Sequence, residues 1–302
     1  MIKVKNITLI LVLLPIIDSC AESVGINYSN KFISYGGDNS LDIATWNIKW
    51  FPQNGQITLE YVTEIIEQLD LDVLAIQEVD DMAMFDQMLN ALTGYTGYYQ
   101  SSWFAGLAYI YKTDSIVIND IYEIYTTSTY WSAFPRSPMV MDMNFMGENY
   151  FIINNHFKCC GDGILDFNSE SDEETRRYNA SNLLKEYIDT NLSDKNVIVL
   201  GDLNDDIAEA PQNNVFQMIL DDTDNYFFVD LEIAHGNSSD WSYPSWPSHL
   251  DHILITNELF DELDNSDVQT LNIDEYINGG WNEYFQNISD HRPIGLRLLF
   301  NP

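Results

Sequence analysis

Residues 197–205, with the sequence VIVLGDLND, restrict the fold of this chain more than any other segment. The apolar run at its start is typical of a buried strand. A glycine turn then ends the strand, so that Asp202 and Asn204 project from its end. Far downstream, Asp290 and His291 stand directly before the last apolar run. A fold that accommodates these segments is expected to bring polar strand ends together.

Strand-like runs alternate with amphipathic helices along the chain, and several neighbouring runs are close enough to form hairpins. Because hairpins give antiparallel pairs, this order fits two mixed sheets covered by helices better than one parallel sheet. Apolar spacings of three and four residues predict helices over residues 59–69, 82–92, 180–188 and 213–220. Strands are predicted at residues 41–47, 73–78, 107–111, 115–125, 139–145, 150–156, 197–201, 251–256, 268–273 and 294–300, with hairpins around residues 112–114 and 147–149.

At 302 residues the chain is long for one average domain but within reach of a single large α/β domain, which is expected over residues 41–302. Hydrophobic residues make up 45% of the chain and aromatic residues 13%, which is enough for a large core and excludes wholesale disorder. The sequence contains no repeat, low-complexity segment or Pro/Ser/Gly linker that would divide the domain.

The chain is strongly acidic, with 13 basic and 47 acidic residues and a net charge of −34. This balance argues against a protein that coats nucleic acid, because counterion release requires many Lys and Arg contacts. The acidic composition is compatible with an enzyme that binds phosphate groups through a divalent cation. The excess charge also suggests a salty exterior, where electrostatic screening is strong.

The N-terminus has the features of an export signal. Two lysines precede an apolar run at residues 7–17, which is too short to span a bilayer. Residues 1–20 are therefore predicted to be a signal peptide. It either ends in a lipoprotein-type box with Cys20 as the lipidated residue, or is cleaved nearby by an ordinary signal peptidase. Residues 21–40 would then form a tether or a first edge strand, and the protein is expected to be secreted, periplasmic or membrane-anchored.

Two adjacent cysteines, Cys159 and Cys160, follow the strand that ends at residue 156. Neighbouring Cα atoms are about 3.8 Å apart, which is below the usual separation for a disulfide, so a bond between them would be strained. An exported protein permits such a bond. A vicinal disulfide and two reduced thiols are equally compatible with the sequence.

Polar side chains that suit metal binding or proton transfer stand at or beside the ends of the predicted strands. Glu78 is the most informative alone, because a carboxylate that ends an apolar strand is costly unless it is paired or metal-bound. The others have structural alternatives when taken singly, such as capping, turn formation or a satisfied edge histidine. Together they form a set of hard-metal ligands and proton carriers. The set is Asn47, Glu78, His156, Asp202, Asn204, Asp251, Asp290 and His291.

At these positions the chain resembles the endonuclease/exonuclease/phosphatase superfamily, which has the deoxyribonuclease-I-like fold. The matching segments occur in the family's order and span about residues 41–300. They are TWNIKWF (45–51), AIQEVD (75–80), NNHFK (154–158), VLGDLND (199–205), SHLDHILIT (248–256) and SDHRPI (289–294). The resemblance implies a four-layer α/β sandwich, in which two mixed β-sheets pack face to face under outer helices and the site lies at one end.

The resemblance also implies a divalent-cation cofactor, Mg²⁺ or alternatively Mn²⁺ or Ca²⁺. Glu78 would be the principal metal ligand, Asp290 would support a metal position, and Asn47 would orient the metal or the phosphate. Arg136, within AFPRSPMVMDM, corresponds to an arginine that many members place beside the phosphate.

The remaining matched residues would act on the phosphate and the attacking water. His291, oriented by Asp251, would contact the scissile phosphate, and His156 would be the second imidazole that faces it. Asp202 would position or deprotonate the water, and Asn204 would hold the water and the phosphate. The residues do not decide whether Asp202, His156 or His291 is the base.

The sequence therefore predicts an exported, metal-dependent phosphodiester hydrolase, with a nuclease of low sequence specificity as the first interpretation. One alternative is another substrate for the same chemistry, either sphingomyelin or a sugar or inositol phosphate. The other is a non-catalytic surface binding protein. Nucleic acid is the expected partner, no obligate protein partner is evident, and we expect a monomer. Trp103, Trp131 and Trp246 could offer stacking surfaces for bases, although aromatic residues more often belong to the core.

Overall fold

The computed structural model describes residues 34–101, 105–263 and 266–300. The predicted signal peptide, Cys20, Trp103 and most of the predicted tether lie outside the described residues. Residues 34–39 belong to no strand, and Tyr35 is buried with its hydroxyl donating to the Asp267 carbonyl at 2.8 Å. Within the described part, every helix is too short or too polar to cross a membrane.

Strands and helices alternate along the chain as the apolar patterns predict. The strands are Ser40–Phe51 (β1), Val73–Val79 (β2), Tyr95–Tyr98 (β3), Gly106–Lys112 (β4), Ile116–Glu123 (β5), Met139–Phe145 (β6), Glu148–His156 (β7), Asn196–Asp202 (β8), Tyr226–Phe228 (β9), Asp251–Thr256 (β10), Asp267–Thr270 (β11) and Ile294–Leu299 (β12). The helices are Gly55–Leu69 (α1), Met82–Ala91 (α2), Glu173–Asn191 (α3), Gln217–Leu220 (α4), Leu231–Ala234 (α5), Phe260–Leu263 (α6) and Gly280–Asn287 (α7).

The strands form two mixed sheets of six strands each. The first sheet has the order β11-β12-β1-β2-β4-β3, and the second has the order β5-β6-β7-β8-β10-β9. Each sheet contains one parallel pair, β1 with β2 and β7 with β8, and its other pairs are antiparallel. The two parallel pairs occupy the middle of their sheets.

The sheets pack face to face, and helices cover both outer faces. Since successive side chains of a strand point to opposite faces, Val73 and Ala75 meet Ile198 and Leu200 of the second sheet in one apolar core. The outer face of the first sheet packs against apolar residues of α1, α2 and α7, and that of the second sheet packs against α3 and α4. The expected four-layer α/β sandwich is confirmed.

The predicted hairpin around residues 112–114 is wrong. β4 lies in the first sheet, whereas β5 forms an edge of the second, so the connection between them crosses from one sheet to the other. Asp72 holds this crossing, because its carbonyl accepts from the Lys112 amide at 2.9 Å and its carboxylate from the Ser115 hydroxyl at 2.8 Å. Apolar alternation predicts each strand but does not show which sheet it joins.

A buried polar network joins the two sheets directly beneath their carboxyl-terminal ends. The Gln77 side chain donates to Asn154 Oδ1 at 2.7 Å, and the Asn154 side-chain amide donates to the Ile76 and Ala108 carbonyls at 3.0 Å each. Tyr109 accepts from the Asn154 backbone amide at 3.0 Å. Because buried polar groups are costly unless hydrogen-bonded, this network fixes how the sheets lie on each other.

Gly201 allows β7 and β8 to approach closely where β8 ends. Its φ is +143°, and a Cβ at this position would lie 2.0 Å from the Asn155 carbonyl oxygen. No side chain fits this space, so the strand must have glycine directly before Asp202.

We predict that Gly201→Ala lowers the free energy of unfolding by about 3 kcal/mol, because the methyl group must displace β7 backbone and the residue is held at an unfavourable φ. Urea unfolding measures the change. In the control, Gly37→Ala, the new Cβ meets only ordinary contacts at 3.6 Å. Equal stabilities for the two variants would contradict this explanation of Gly201.

A second buried polar cluster lies behind the second sheet. Asp230 Oδ2 is 2.9 Å from His249 Nε2 and 2.6 Å from His252 Nδ1, and all three residues are fully buried. His252 Nε2 lies 2.8 Å from the Asp205 carbonyl oxygen, which can only accept. His252 therefore donates from both ring nitrogens and is an imidazolium. Burial alone would lower the pKa of His252, but the charge of Asp230 raises it.

We predict a pH-dependent loss of stability in His252→Gln. Since the folded pKa of His252 is raised, its contribution is complete below the unfolded pKa of about 6.5 and disappears as pH rises through the folded pKa. The variant should be less stable by about 3 kcal/mol at mildly acidic pH, and the difference should shrink at alkaline pH. Urea unfolding at several pH values measures it, with His235→Gln at an exposed site as control. A difference independent of pH would contradict the imidazolium assignment.

Candidate active site

The polar strand ends converge on one cavity of about 500 Å³ at the end of the two sheets. Strand register explains part of this convergence. In the second sheet His156 pairs with Asp202 and Asp202 with Asp251, so three neighbouring strands place them side by side. In the first sheet Asn47 pairs with Gln77, which places Asn47 next to Glu78. The predicted residues that line the cavity are Glu78, His156, Asp202, Asn204, Asp290 and His291.

Unfavourable backbone conformations gather around this cavity. Glu78 has φ +66° and Asn204 has φ +55°, and Lys49 and Trp50 have φ +38° and +47°. Residues without glycine's freedom adopt this region only when surrounding contacts hold them there, and such strain is concentrated at functional sites. One such contact is the Trp50 amide, which donates to Glu78 Oε2 at 2.9 Å.

Asp202 is the centre of the site. Its Oδ2 accepts from the Asn47 side chain at 2.9 Å and lies 3.5 Å from His156 Nε2 and 3.8 Å from His291 Nε2. Burial raises the pKa of Asp202 to about 7; Asp251 and Glu78 add to this effect, while His291 and the Asn47 hydrogen bond oppose it. A buried carboxyl group with such a pKa can exchange a proton near neutral pH.

The two histidines at the cavity are in opposite protonation states. His291 Nδ1 lies 2.7 Å from Asp251 Oδ2; although burial alone would lower the pKa of His291, Asp251 and Asp202 raise it to about 10. His291 is thus an imidazolium that presents Nε2 to the cavity. Burial lowers the pKa of His156 far below its ordinary value, and the charges of Arg136 and His291 lower it further. His156 is therefore neutral.

The carboxylates and amides of the site fit a hard divalent cation, which prefers oxygen ligands. Glu78 and Asp290 both present carboxylates to the cavity. The Asn47 side chain joins Glu78 Oε1 at 3.1 Å to Asp202, which aligns the donor groups.

Asn204 and Asp290 have contacts that the sequence did not indicate. The Asn204 amide donates to Asp202 Oδ1 at 3.1 Å and its side chain to the Phe157 carbonyl at 3.3 Å, which fixes the turn after β8. Lys49 forms an ion pair of 2.9 Å with Asp290, so a fixed positive charge stands at the cavity. The position of Lys49 two residues after Asn47 could have marked it as a site residue, although its pairing with Asp290 depends on the fold.

Two arginines stand near the site. Arg136 is not among the described residues that line the cavity, but its charge acts on His156, and its contact with the phosphate stays a prediction. Arg177, near the start of α3, is not among the described residues that line the cavity. It is buried, lies 2.7 Å from Asp205, and donates to the carbonyls of Lys158 and Cys160 at 2.8 and 2.7 Å.

Aromatic residues and the cysteine pair form the rim of the cavity. Trp50 and Trp246 line it with exposed fractions of 47% and 79%, and the Tyr243 ring lies 4.8 Å from the ring of His291. Cys159 and Cys160 also line it, as exposed free thiols whose sulfur atoms are 3.0 Å apart.

Several solved structures share the fold of this chain. TDP2 of D. rerio in complex with a single-strand DNA product superposes with a TM-score of 0.63 at 14% identity, covering 86% of this chain and 99% of that one. The human nocturnin catalytic domain with bound sulfate gives 0.60 at 16% identity, covering 90% and 96%. A mannosyl-6-phosphatase of Bacteroides thetaiotaomicron gives 0.56 at 15% identity, covering 86% and 100%.

No curated protein matches the sequence closely enough to count as a relative. The sequence model of the endonuclease/exonuclease/phosphatase family, in contrast, matches residues 44–291, a range that includes all the strand-end residues described above. Members of this family are metal-dependent phosphoester hydrolases. The chain belongs to the endonuclease/exonuclease/phosphatase family.

Proposed function

We propose that this protein is an exported, divalent-metal-dependent phosphodiester hydrolase that cleaves DNA or RNA with low sequence specificity. The observation that carries the proposal is the convergence on Asp202 of Asn47 from the first sheet, His156 from the second, and His291 from the loop before β12. Such a set can bind a phosphate, activate a water molecule and stabilise the leaving group.

Asp202 is the proposed general base. Its pKa of about 7 matches the acceptance of a proton from water near neutral pH, whereas the strongly lowered pKa of His156 makes that imidazole a poor base. Asn47 holds the reacting oxygen of Asp202 in place, and Asn204 holds the turn that carries it. His156 then serves as a neutral hydrogen-bond partner of the phosphate.

His291 is the proposed general acid. Asp251 keeps it protonated and orients the ring, so that Nε2 can donate to a phosphoryl or leaving oxygen as negative charge develops there. Glu78 and Asp290 would hold the divalent cation, with Asn47 aligning Glu78. When bound, that cation offsets charge on the phosphoryl oxygens.

Nucleic acid as the substrate is supported by the aromatic rim. Exposed tryptophan faces at Trp50 and Trp246 beside the phosphate site can stack on bases of any sequence. TDP2 of D. rerio, which has the same fold, was solved with a single-strand DNA product. Export is supported by the N-terminal segment, in which two lysines precede an apolar run. Cys20 would be the lipid-anchored residue if the signal is of the lipoprotein type. An exported nuclease would scavenge nucleotides or clear extracellular DNA.

A phosphorylated sugar is the second candidate substrate, and the net charge of −34 favours it, because a small substrate needs few cationic contacts. The mannosyl-6-phosphatase fold neighbour adds support. Sphingomyelin is less well supported. Of the aromatic segment at residues 130–134, Trp131 is exposed but Phe134 is buried in the core, so it offers no continuous apolar surface to a lipid.

We predict that the mature protein degrades plasmid DNA with Mg²⁺ or Mn²⁺ and stops when EDTA is added. His291→Ala should reduce the rate about 10²- to 10⁴-fold, because the general acid is lost. Glu78→Gln should raise the metal concentration needed for half-maximal rate, because one charged ligand is removed. Gel and fluorescence assays measure both effects.

The matched control is His235→Ala, which removes an exposed histidine away from the cavity and should leave the rate unchanged. Turnover of a sugar phosphate or sphingomyelin without cleavage of DNA or RNA would replace the nuclease assignment with another substrate. If the metal-bound protein is inactive on DNA, RNA, sugar phosphates and sphingomyelin, the remaining interpretation is a non-catalytic binding protein.

A further inference from the structure

Three carboxylates gather beside the catalytic cavity, where the loop after β7 meets the start of α3. Asp162, Asp172 and Glu174 each present one oxygen, and these atoms lie within 4.8 Å of one another. Asp162 is exposed, Asp172 is half-buried, and Glu174 is only 1% exposed. None of them belongs to the set that surrounds Asp202, so the phosphoester chemistry leaves this cluster unexplained.

The Glu174 carboxylate gives the strongest indication that this cluster binds a cation. Its Oε1 accepts from the Gly163 amide at 2.7 Å and lies 3.2 Å from the Arg177 guanidinium. Its Oε2 is buried and has no hydrogen-bond partner among the described residues. Leaving a carboxylate oxygen buried and unpaired is costly, so such an atom normally has a partner such as a cation.

The surroundings hold more negative charge than their arginine offsets. Arg177 is shared between Glu174 and Asp205. Glu209 adds a further buried carboxylate oxygen without a partner among the described residues. Burial raises the pKa of Glu209 to about 7, and the charges of Asp205 and Asp206 contribute to this. A divalent cation would relieve the accumulated repulsion.

The ligand set favours Ca²⁺ over Mg²⁺. Ca²⁺ takes carboxylate oxygens in a flexible geometry, which suits three carboxylates supplied by a loop and the start of a helix. Mg²⁺ demands a near-ideal octahedron and usually keeps several water ligands, so a site built from three protein carboxylates suits it less well. The N-terminus of α3 carries a partial positive charge of about half a unit, which the three carboxylates outweigh.

We propose that Asp162, Asp172 and Glu174 bind a Ca²⁺ ion that is distinct from the catalytic cation and fixes the cavity rim. The loop that supplies Asp162 also supplies Cys159, Cys160 and Gly161 to the cavity wall. Calcium there ties this loop to α3, so rim geometry, and with it substrate access, depends on the Ca²⁺ concentration. In a calcium-containing exterior the site would be filled.

Calorimetric titration with CaCl₂ tests the proposal on the full mature chain carrying Glu78→Gln, which weakens the catalytic site. One Ca²⁺ should still bind. Adding Asp162→Asn should weaken its affinity by about tenfold or more, because one charged ligand is lost. Ca²⁺ should also raise the Tm of Glu78→Gln but not of the double variant.

The matched control is Glu170→Gln, which makes the same charge change at an exposed position of the same loop outside the cluster. It should retain Ca²⁺ affinity and the Ca²⁺-dependent rise in Tm. Circular dichroism confirms that each variant is folded. Absence of Ca²⁺ binding in Glu78→Gln, or equal affinity with and without Asp162→Asn, overturns the proposal. Neither readout uses catalysis, so loss of the nuclease assignment would leave this result intact.

Discussion

The contact from Gln77 to Asn154, 2.7 Å long, joins the two sheets where the site begins. Gln77 directly precedes Glu78, and Asn154 lies two residues before His156, so this buried contact sets the distance between the proposed metal ligand Glu78 and His156. Apolar packing alone would let the sheets slide on each other, because it is not directional. The hydrogen bonds from Asn154 to the carbonyls of Ile76 and Ala108 remove that freedom.

Burial and neighbouring charges give the two histidines of the cavity different protonation states. Two histidines stand on either side of Asp202, yet the carboxylate of Asp251 makes one of them an imidazolium while burial keeps the other neutral. Environments that separate the pKa values of neighbouring groups are a general way to assign acid and base roles. In the proposed mechanism, one cavity thereby holds a proton donor, a proton acceptor and a neutral hydrogen-bond partner.

Much of this arrangement could be predicted from sequence, because strand ends are marked by an apolar run and the polar residue that follows it. Glu78 and Asp202 were identified in that way. The Lys49 ion pair, the buried Arg177 and the crossing at residues 112–114 could not be predicted, since they depend on which strands become neighbours. The Glu174 oxygen without a partner likewise emerges only when side-chain contacts are known.

In the proposed mechanism, side chains from both sheets surround one catalytic cation and the phosphate it activates. This arrangement can be tested by anomalous diffraction from crystals soaked in Mn²⁺ and phosphate. We expect a manganese peak within bonding distance of Glu78, with the phosphate between that ion and His291. Manganese bound elsewhere with the Glu78 position vacant, or phosphate bound away from His291, would contradict it.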